Sequence, residues 1–270
     1  MKLLERLSYH PLIWNIGYKT QKRSYRVITR RFGNDDVVFL NYGYEEDPAM
    51  ALPLDPDDEP DRFPIQLYHR TATQAGGLAL KEVLEVGCGH GGGASYLTRA
   101  LRPARYTGLD LNPNGIEFCR QRHRLPGLEF VVGDAQNLPF PDRTFDAVIN
   151  VESSIHYPDF RRFLTEVARV LRPGGHFLYT DGRFAPHVPD WEAALADAPM
   201  QLISSEDISP QVVRGIERNS QRWQELLGRH KFNVMRATCQ FVEGSRIYRS
   251  LQNGEFSYRL YCFANTAPGN

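Results

Sequence analysis

Val83-Leu84-Glu85-Val86-Gly87-Cys88-Gly89-His90-Gly91-Gly92-Gly93 decides the fold. An apolar run ends in an acid, and glycines at alternate positions lead into a helix-like segment. This reads as a strand running into a tight turn that opens a helix. Glycine removes the Cβ atoms that would keep a ligand off the backbone. A helix N-terminus behind the turn presents unpaired N–H groups. The turn is therefore expected to hold a nucleotide-type cofactor. Taken alone, Gly87, Gly89 and Gly92 also satisfy the G-x-G-x-x-G pattern of dinucleotide sites.

Three features outward from the turn choose between nucleotides. Glu85 stands two residues before the first glycine, where a carboxylate can hold an amino group. Asp110 ends the next expected strand, Tyr106-Thr107-Gly108-Leu109, placed to bind two ribose hydroxyls. Val131-Val132-Gly133-Asp134-Ala135 ends a third strand, with Leu138-Pro139-Phe140 behind it, and an acid with a free backbone N–H there can read an adenine edge. An ammonium, a ribose and an adenine met in that order point to S-adenosylmethionine. The expected cofactor-binding set is Glu85, Gly87, Cys88, Gly89, Gly91, Asp110, Leu111, Asp134, Ala135 and Val151.

These motifs, with Leu171-Arg172-Pro173-Gly174-Gly175, resemble those of class I S-adenosylmethionine-dependent methyltransferases over residues 83 to about 181. Outside them, Gly33-Asn34-Asp35-Asp36, Tyr44-Glu45-Glu46-Asp47-Pro48, Tyr68-His69-Arg70-Thr71-Ala72-Thr73-Gln74 and Ser257-Tyr258-Arg259-Leu260-Tyr261-Cys262-Phe263 resemble actinobacterial methyltransferases of phthiotriol dimycocerosates and glycopeptidolipid fatty acids. Gly89 to Arg99 does so as well. The resemblance implies methylation of a hydroxyl on a lipid or polyketide-like metabolite.

Strands near 82–86, 105–109, 128–132, 145–151 and 176–181 alternate with helices near 92–101, 113–123 and 159–171. This βαβ rhythm predicts a parallel sheet with right-handed crossovers. The helix ending at 171 is expected to stop at Arg172-Pro173-Gly174-Gly175. Two helices, about 190–200 and 208–230, then interrupt the rhythm, and strands near 233–240 and 256–264 are expected to close the sheet. The expected fold is a Rossmann-like α/β class I methyltransferase: a mostly parallel seven-stranded sheet with helices on both faces, an N-terminal helical extension and inserted cap helices. The expected divisions are an extension over 1–75, a cofactor-binding core over 76–182, a cap over 183–231 and closing strands over 232–270. Residues 45–64 are acidic and proline-rich, which predicts an extended loop, either lid or connector. A helix over 65–74 then leads into the core.

A methyl acceptor must be held in line and relieved of its proton, and a base helps an alcohol. His156, in the loop Ser153-Ser154-Ile155-His156-Tyr157-Pro158-Asp159 after the fourth strand, is the candidate. Imidazole's ordinary pKa near 6.5 suits it. Tyr18, Tyr68 and Glu152 are candidate substrate contacts. Glu152 and Asp181 end the fourth and fifth strands; either can orient His156, and Asp181 reads best as solvated. His90 is expected to cap or pack within the turn, and His69 to border the pocket. Tyr18, Tyr25, Tyr42 and Tyr44 offer an apolar acceptor pocket or a subunit contact in a homo-oligomer. No acid cluster suggests a metal.

Charges balance at 32 basic and 32 acidic residues, which gives no general attraction to nucleic acid. The basic run from Lys22 to Arg31 reads as a solvated helix face rather than a membrane contact. No apolar run reaches the roughly 20 residues of a spanning helix, and the start lacks a signal-like segment. Cys88, Cys119, Cys239 and Cys262 show no paired or metal spacing. A cytoplasmic protein with free thiols is expected. The competing readings are N- or C-methylation, with or without coupled cyclisation, a nicotinamide dehydrogenase using the same glycines, and a binding module without catalysis. Glu85 and Asp134 argue against the dehydrogenase, and the complete motif set argues against the inert module.

Overall fold

The computed structural model describes residues 37–228 and 240–266. Seven strands form one sheet: β1 (Glu82–Val86), β2 (Arg105–Asp110), β3 (Leu128–Val132), β4 (Phe145–Val151), β5 (Leu171–Phe184), β6 (Gln201–Asp207) and β7 (Phe256–Ala264). Their order is β3-β2-β1-β4-β5-β7-β6. The first five run parallel, and β7 lies antiparallel between β5 and β6. The helices are α1 (Arg62–Ala72), α2 (Gly92–Leu101), α3 (Pro113–Arg122), α4 (Phe160–Val170), α5 (Val188–Ala196), α6 (Ser209–Gly228) and α7 (Arg246–Gln252).

The strands are apolar on both faces because helices cover both, as parallel sheets require. Alternate residues point to opposite sides. Val83, Ala147, Ile149, Leu178, Tyr258 and Leu260 join one core with Ile65, Leu67, Leu97, Val212 and Ile216 from α1, α2 and α6. Leu84, Val86, Val148, Phe177 and Phe263 join the other with Phe163, Val167 and Trp191 from α4 and α5. In that second core Phe177, Tyr179, Tyr261 and Phe263 stack at centroid distances of 5.2 to 6.2 Å.

Two expectations are corrected. The first strand of the closing antiparallel pair is Gln201–Asp207, between the two cap helices expected over 190–200 and 208–230. Its residues are exposed and mostly polar, as an edge strand tolerates, so it lacks the apolar run that marks the others. Nearly all of the expected strand at 233–240 lies outside the described residues. Secondly, α4 stops at Val170, and Leu171 is already extended at φ −74°, ψ 136°. The Pro173-Gly174-Gly175 segment instead shifts the β4–β5 register between the Phe145–Leu171 and Ala147–His176 pairs.

Between residues 45 and 61 the chain is mainly extended, with a short 3₁₀ turn at Glu59–Asp61 before α1. It is tied to the body at its start: Glu45 N–H donates to the Gln211 carbonyl at 3.0 Å, and Met50 N–H donates to the Glu45 carboxylate at 2.8 Å.

Candidate active site

A cavity of about 310 Å³ opens along the C-terminal ends of β1, β2, β3 and β4. Ligands of open α/β sheets bind on this side. Its wall includes Gly87, Cys88, Gly89, Asp110, Leu111, Asp134, Ala135, Val151, Glu152 and His156. The fold thus brings three strand-end segments and the β4 loop to one space.

The turn after β1 has little freedom. Gly87 sits at φ +81°, and a Cβ there would lie 2.3 Å from Ser153 Oγ. Gly89 sits at φ +56°, and a Cβ there would meet only Leu40 Cδ1, at 3.6 Å. The first glycine is required by packing, while the second keeps clear the space beside the turn. Gly91 is not on the wall; it opens α2 and packs near His123 and Phe130.

Asp110 accepts the Gly89 N–H at 3.0 Å and the Asn112 N–H at 2.8 Å, so it fastens the turn from the neighbouring strand. Burial pushes its pKa up, against those backbone donors. Asp134 takes the backbone and side-chain N–H groups of Gln136 on Oδ1, at 2.9 and 3.2 Å.

Glu85 stands elsewhere than expected. Its carboxylate is fully buried behind the cavity wall, where it accepts the hydroxyls of Tyr68 at 3.0 Å and Tyr106 at 2.9 Å. Burial raises its pKa to about 7. Tyr68 does line the cavity, but its hydroxyl is spent on Glu85, leaving the ring as its contribution to the wall.

His156 closes a 3₁₀ turn, Ser154–His156, on the cavity wall. Asp181 holds that turn, accepting Ser154 Oγ–H at 2.6 Å and Ile155 N–H at 3.0 Å. Asp181 is therefore not solvated; it is 2% exposed and pairs with Arg183 at 3.1 Å. Arg183 also lies over the Trp191 ring, 4.9 Å from its centroid. Burial lowers the His156 pKa, Asp181 raises it and Arg183 lowers it, and the net direction is downward. The imidazole is accordingly neutral at pH 7 and able to take a proton.

Glu152 has a positive φ of +51° and lies on the wall. It accepts the Tyr42 N–H at 3.0 and 3.2 Å on its two oxygens, and the Tyr258 hydroxyl on Oε1. Burial raises its pKa to about 8. His90 bonds the Val37 carbonyl at 3.0 Å and lies 5.0 Å from the Phe118 ring, which is a packing role. His69 meets Tyr96 at 2.8 Å and is not on the wall. Tyr44 is in the core. Tyr18 and Tyr25, the basic run and Cys239 lie outside the described residues. Cys88, Cys119 and Cys262 are free thiols. Among the described residues no cluster of His, Cys, Asp and Glu is arranged to hold a metal, and no helix is long and apolar enough to cross a membrane.

Sequence reasoning missed Asn41, Tyr258 and Arg183, which converge on the site from distant segments. Tyr258 and Arg183 serve Glu152 and Asp181, and only those acids carried a signal, through their expected positions at strand ends.

Residues 84–179 match the family model described as "Methyltransferase domain". The chain is 57% identical over 253 residues to the fatty-acid O-methyltransferase of Mycolicibacterium smegmatis, covering 93% of this chain and 92% of that one. It is 55% identical over 262 residues to the phthiotriol/phenolphthiotriol dimycocerosates methyltransferase of Mycobacterium tuberculosis, covering 94% and 97%. Among solved structures, geranyl diphosphate C-methyltransferase from Streptomyces coelicolor, in complex with S-adenosyl-L-homocysteine, shares the fold at a TM-score of 0.65 and 19% identity, over 89% of this chain and 98% of that one.

Proposed function

The chain belongs to the S-adenosylmethionine-dependent methyltransferases, and on that premise we propose that it methylates a hydroxyl of a hydrophobic lipid or polyketide-like metabolite in the cytoplasm. The observation that carries this reading is the one cavity that joins the glycine turn, Asp110 and Asp134 to a neutral, half-buried His156.

The residues fit the cofactor. Space beside Gly89 stays clear for a ligand against the backbone, and the carboxylates of Asp110 and Asp134 stand on the same wall. Asp110 would hold the ribose hydroxyls, and Asp134 with the Ala135 N–H would hold the adenine edge. Gly87, Cys88, Leu111 and Val151 would shape the remaining contacts. Glu85 would act at one remove, by fixing Tyr68 and Tyr106. S-adenosylmethionine, when bound, supplies a methyl group already activated on a sulfonium. The protein's part is to orient the acceptor, exclude water and receive its proton at the His156 imidazole.

A hydroxyl fits this wall better than a carboxylate. The described wall carries Asp110, Asp134 and Glu152 and neither lysine nor arginine, so an anionic acceptor finds no counter-charge there. A carboxylate also needs no base, whereas an alcohol does. Residues 1–75 and the helices of 183–231 are proposed as the acceptor-side elements around the core of 76–182. The paired test offers a long-chain alcohol and the fatty acid of equal length with S-adenosylmethionine, and follows products by mass spectrometry. A methyl ether from the alcohol is expected. A methyl ester from the acid, with the alcohol untouched, would overturn the assignment.

A further inference from the structure

The turn Ser154–His156 is held from two sides. Asp181 takes its first half, through Ser154 Oγ–H and Ile155 N–H. Its other end runs into Tyr157, whose hydroxyl reaches back to the ends of β1 and β4. That hydroxyl lies 2.9 Å from Ser153 Oγ and 3.0 Å from Asn150 Nδ2. Asn150 Nδ2 also donates to the Val86 carbonyl at 2.9 Å and to Ser153 Oγ at 2.7 Å, sharing its two hydrogens among these oxygens. Ser153 Oγ–H donates to the same carbonyl at 3.2 Å. With the one Ser153 hydrogen turned to Val86, the Tyr157 O–H donates to Ser153 Oγ. Burial pushes the Tyr157 pKa up, so this donor keeps its proton at physiological pH.

The Val86 carbonyl belongs to the peptide unit that opens the glycine turn. A Cβ at Gly87 would lie 2.3 Å from Ser153 Oγ and 3.0 Å from the Tyr157 hydroxyl, so the network rests directly on that turn. Gly87, Ser153, His156 and Tyr157 line the same cavity. Within the 3₁₀ turn, His156 N–H donates to the Ser153 carbonyl at 3.1 Å and Tyr157 N–H to the Ser154 carbonyl at 3.0 Å. The two hydroxyls therefore flank His156 along the chain and tie its turn to the cofactor side. The Tyr157 ring is fixed separately, edge-on to Phe163 of α4 at 4.9 Å.

We propose that Tyr157 is a positioning residue for methyl transfer: its hydroxyl fastens the His156 turn to the glycine turn and so sets where the imidazole stands. The inference rests on hydroxyl methylation with His156 as base. The two sides of the network separate in their effects. Without the Tyr157 hydroxyl, the Val86 carbonyl keeps its bonds from Asn150 and Ser153, and Asp110 still fastens Gly89. Loss of the hydroxyl loosens the His156 side and spares the cofactor side.

Tyr157→Phe tests this, since it keeps the ring against Phe163 and removes the hydroxyl alone. Hydrogen exchange of the full chain with S-adenosylhomocysteine, read by mass spectrometry, should quicken about 10-fold over residues 154–157, the scale of one lost hydrogen bond. Exchange over 83–93 should not change, and S-adenosylhomocysteine affinity should stay within about twofold. Toward a long-chain alcohol, kcat should fall about 10-fold with KM little altered. In a His156→Ala background the same substitution should cost less than about twofold, because no imidazole is left to position. Unchanged exchange over 154–157 overturns the clamp. A 10-fold loss that persists in the His156→Ala background overturns the positioning role, as does normal kcat in Tyr157→Phe while His156→Ala is impaired. Full turnover by His156→Ala, or no methylation of the alcohol by the unmodified protein, fells the hydroxyl-methylation reading instead, and the exchange result then judges the clamp by itself.

Discussion

Asp181→Asn isolates the charge that holds the Ser154–His156 turn. The substitution keeps an oxygen for the Ser154 hydroxyl and the Ile155 N–H but removes the negative charge facing Arg183. Both partners are buried, Asp181 at 2% exposure and Arg183 at 9%. Removing one member of a buried pair strands the other, at a cost of about 3–5 kcal/mol. A loss of about 3–5 kcal/mol is therefore expected in urea unfolding monitored by tryptophan fluorescence. Function should respond separately. Asp181 raises the His156 pKa against burial and Arg183, so its loss should move the base limb of the pH–rate profile to lower pH and reduce the plateau. Asp181→Asn combined with Arg183→Met removes both charges and should recover most of the stability, because no unpaired charge remains. A loss under about 1 kcal/mol, or an unmoved base limb, would refute the role given to Asp181.

Four further outcomes follow from the same geometry. Burial raises Glu152 from its ordinary 4.5 to about 8, so its contribution is fully present below pH 4.5 and is lost as pH rises through about 8; Glu152→Gln should flatten the decline of unfolding free energy across that window. Glu85, raised to about 7, should leave a residual slope below that pH in the same titration. Gly89→Val forces a β-branched residue to φ +56° beside the cavity and should fold yet fail to bind S-adenosylhomocysteine in calorimetry; full affinity would make the turn purely structural. Deleting residues 1–32 should abolish turnover while circular dichroism and cofactor binding stay near normal, since the described cofactor wall begins at Val38; wild-type turnover would make that segment an appendage.

The parallel half of the fold was legible because its strands are short apolar runs set between glycine turns and amphipathic helices. Both faces are buried, and burial leaves a compositional mark. β6 left little, since its two apolar residues, Leu202 and Ile203, are exposed and stand among Gln, Ser, Glu and Asp, so the edge strand resembles a loop. The cavity wall was legible for a similar reason. Gly87, Gly89, Asp110 and Asp134 each follow directly from a strand end, and the sheet's parallel order brings those ends together. Glu85 shows the limit. Its position in the motif is readable, but the tyrosines that claim its carboxylate come from α1 and β2. Tyr42 and Tyr258 lie more than 100 residues from Glu152 in one direction or the other, and no local pattern foretells such a meeting. Asp181 was misjudged because acids at strand ends are commonly solvated, whereas here the β4 loop folds over it.

The central claim is that one cavity divides its labour, with the strand-end acids holding the cofactor and His156 serving the acceptor. Asp110→Ala and His156→Ala, compared side by side, test it most directly. For each variant S-adenosylhomocysteine affinity is measured by calorimetry and kcat by methyl transfer to a long-chain alcohol. Asp110→Ala should weaken the cofactor by about 1.5–3 kcal/mol, the range of a charge-assisted hydrogen bond. His156→Ala should keep cofactor affinity within about twofold and lose roughly 10²-fold in kcat. Unchanged cofactor affinity in Asp110→Ala, or near-normal turnover by His156→Ala at pH 7, would contradict the account.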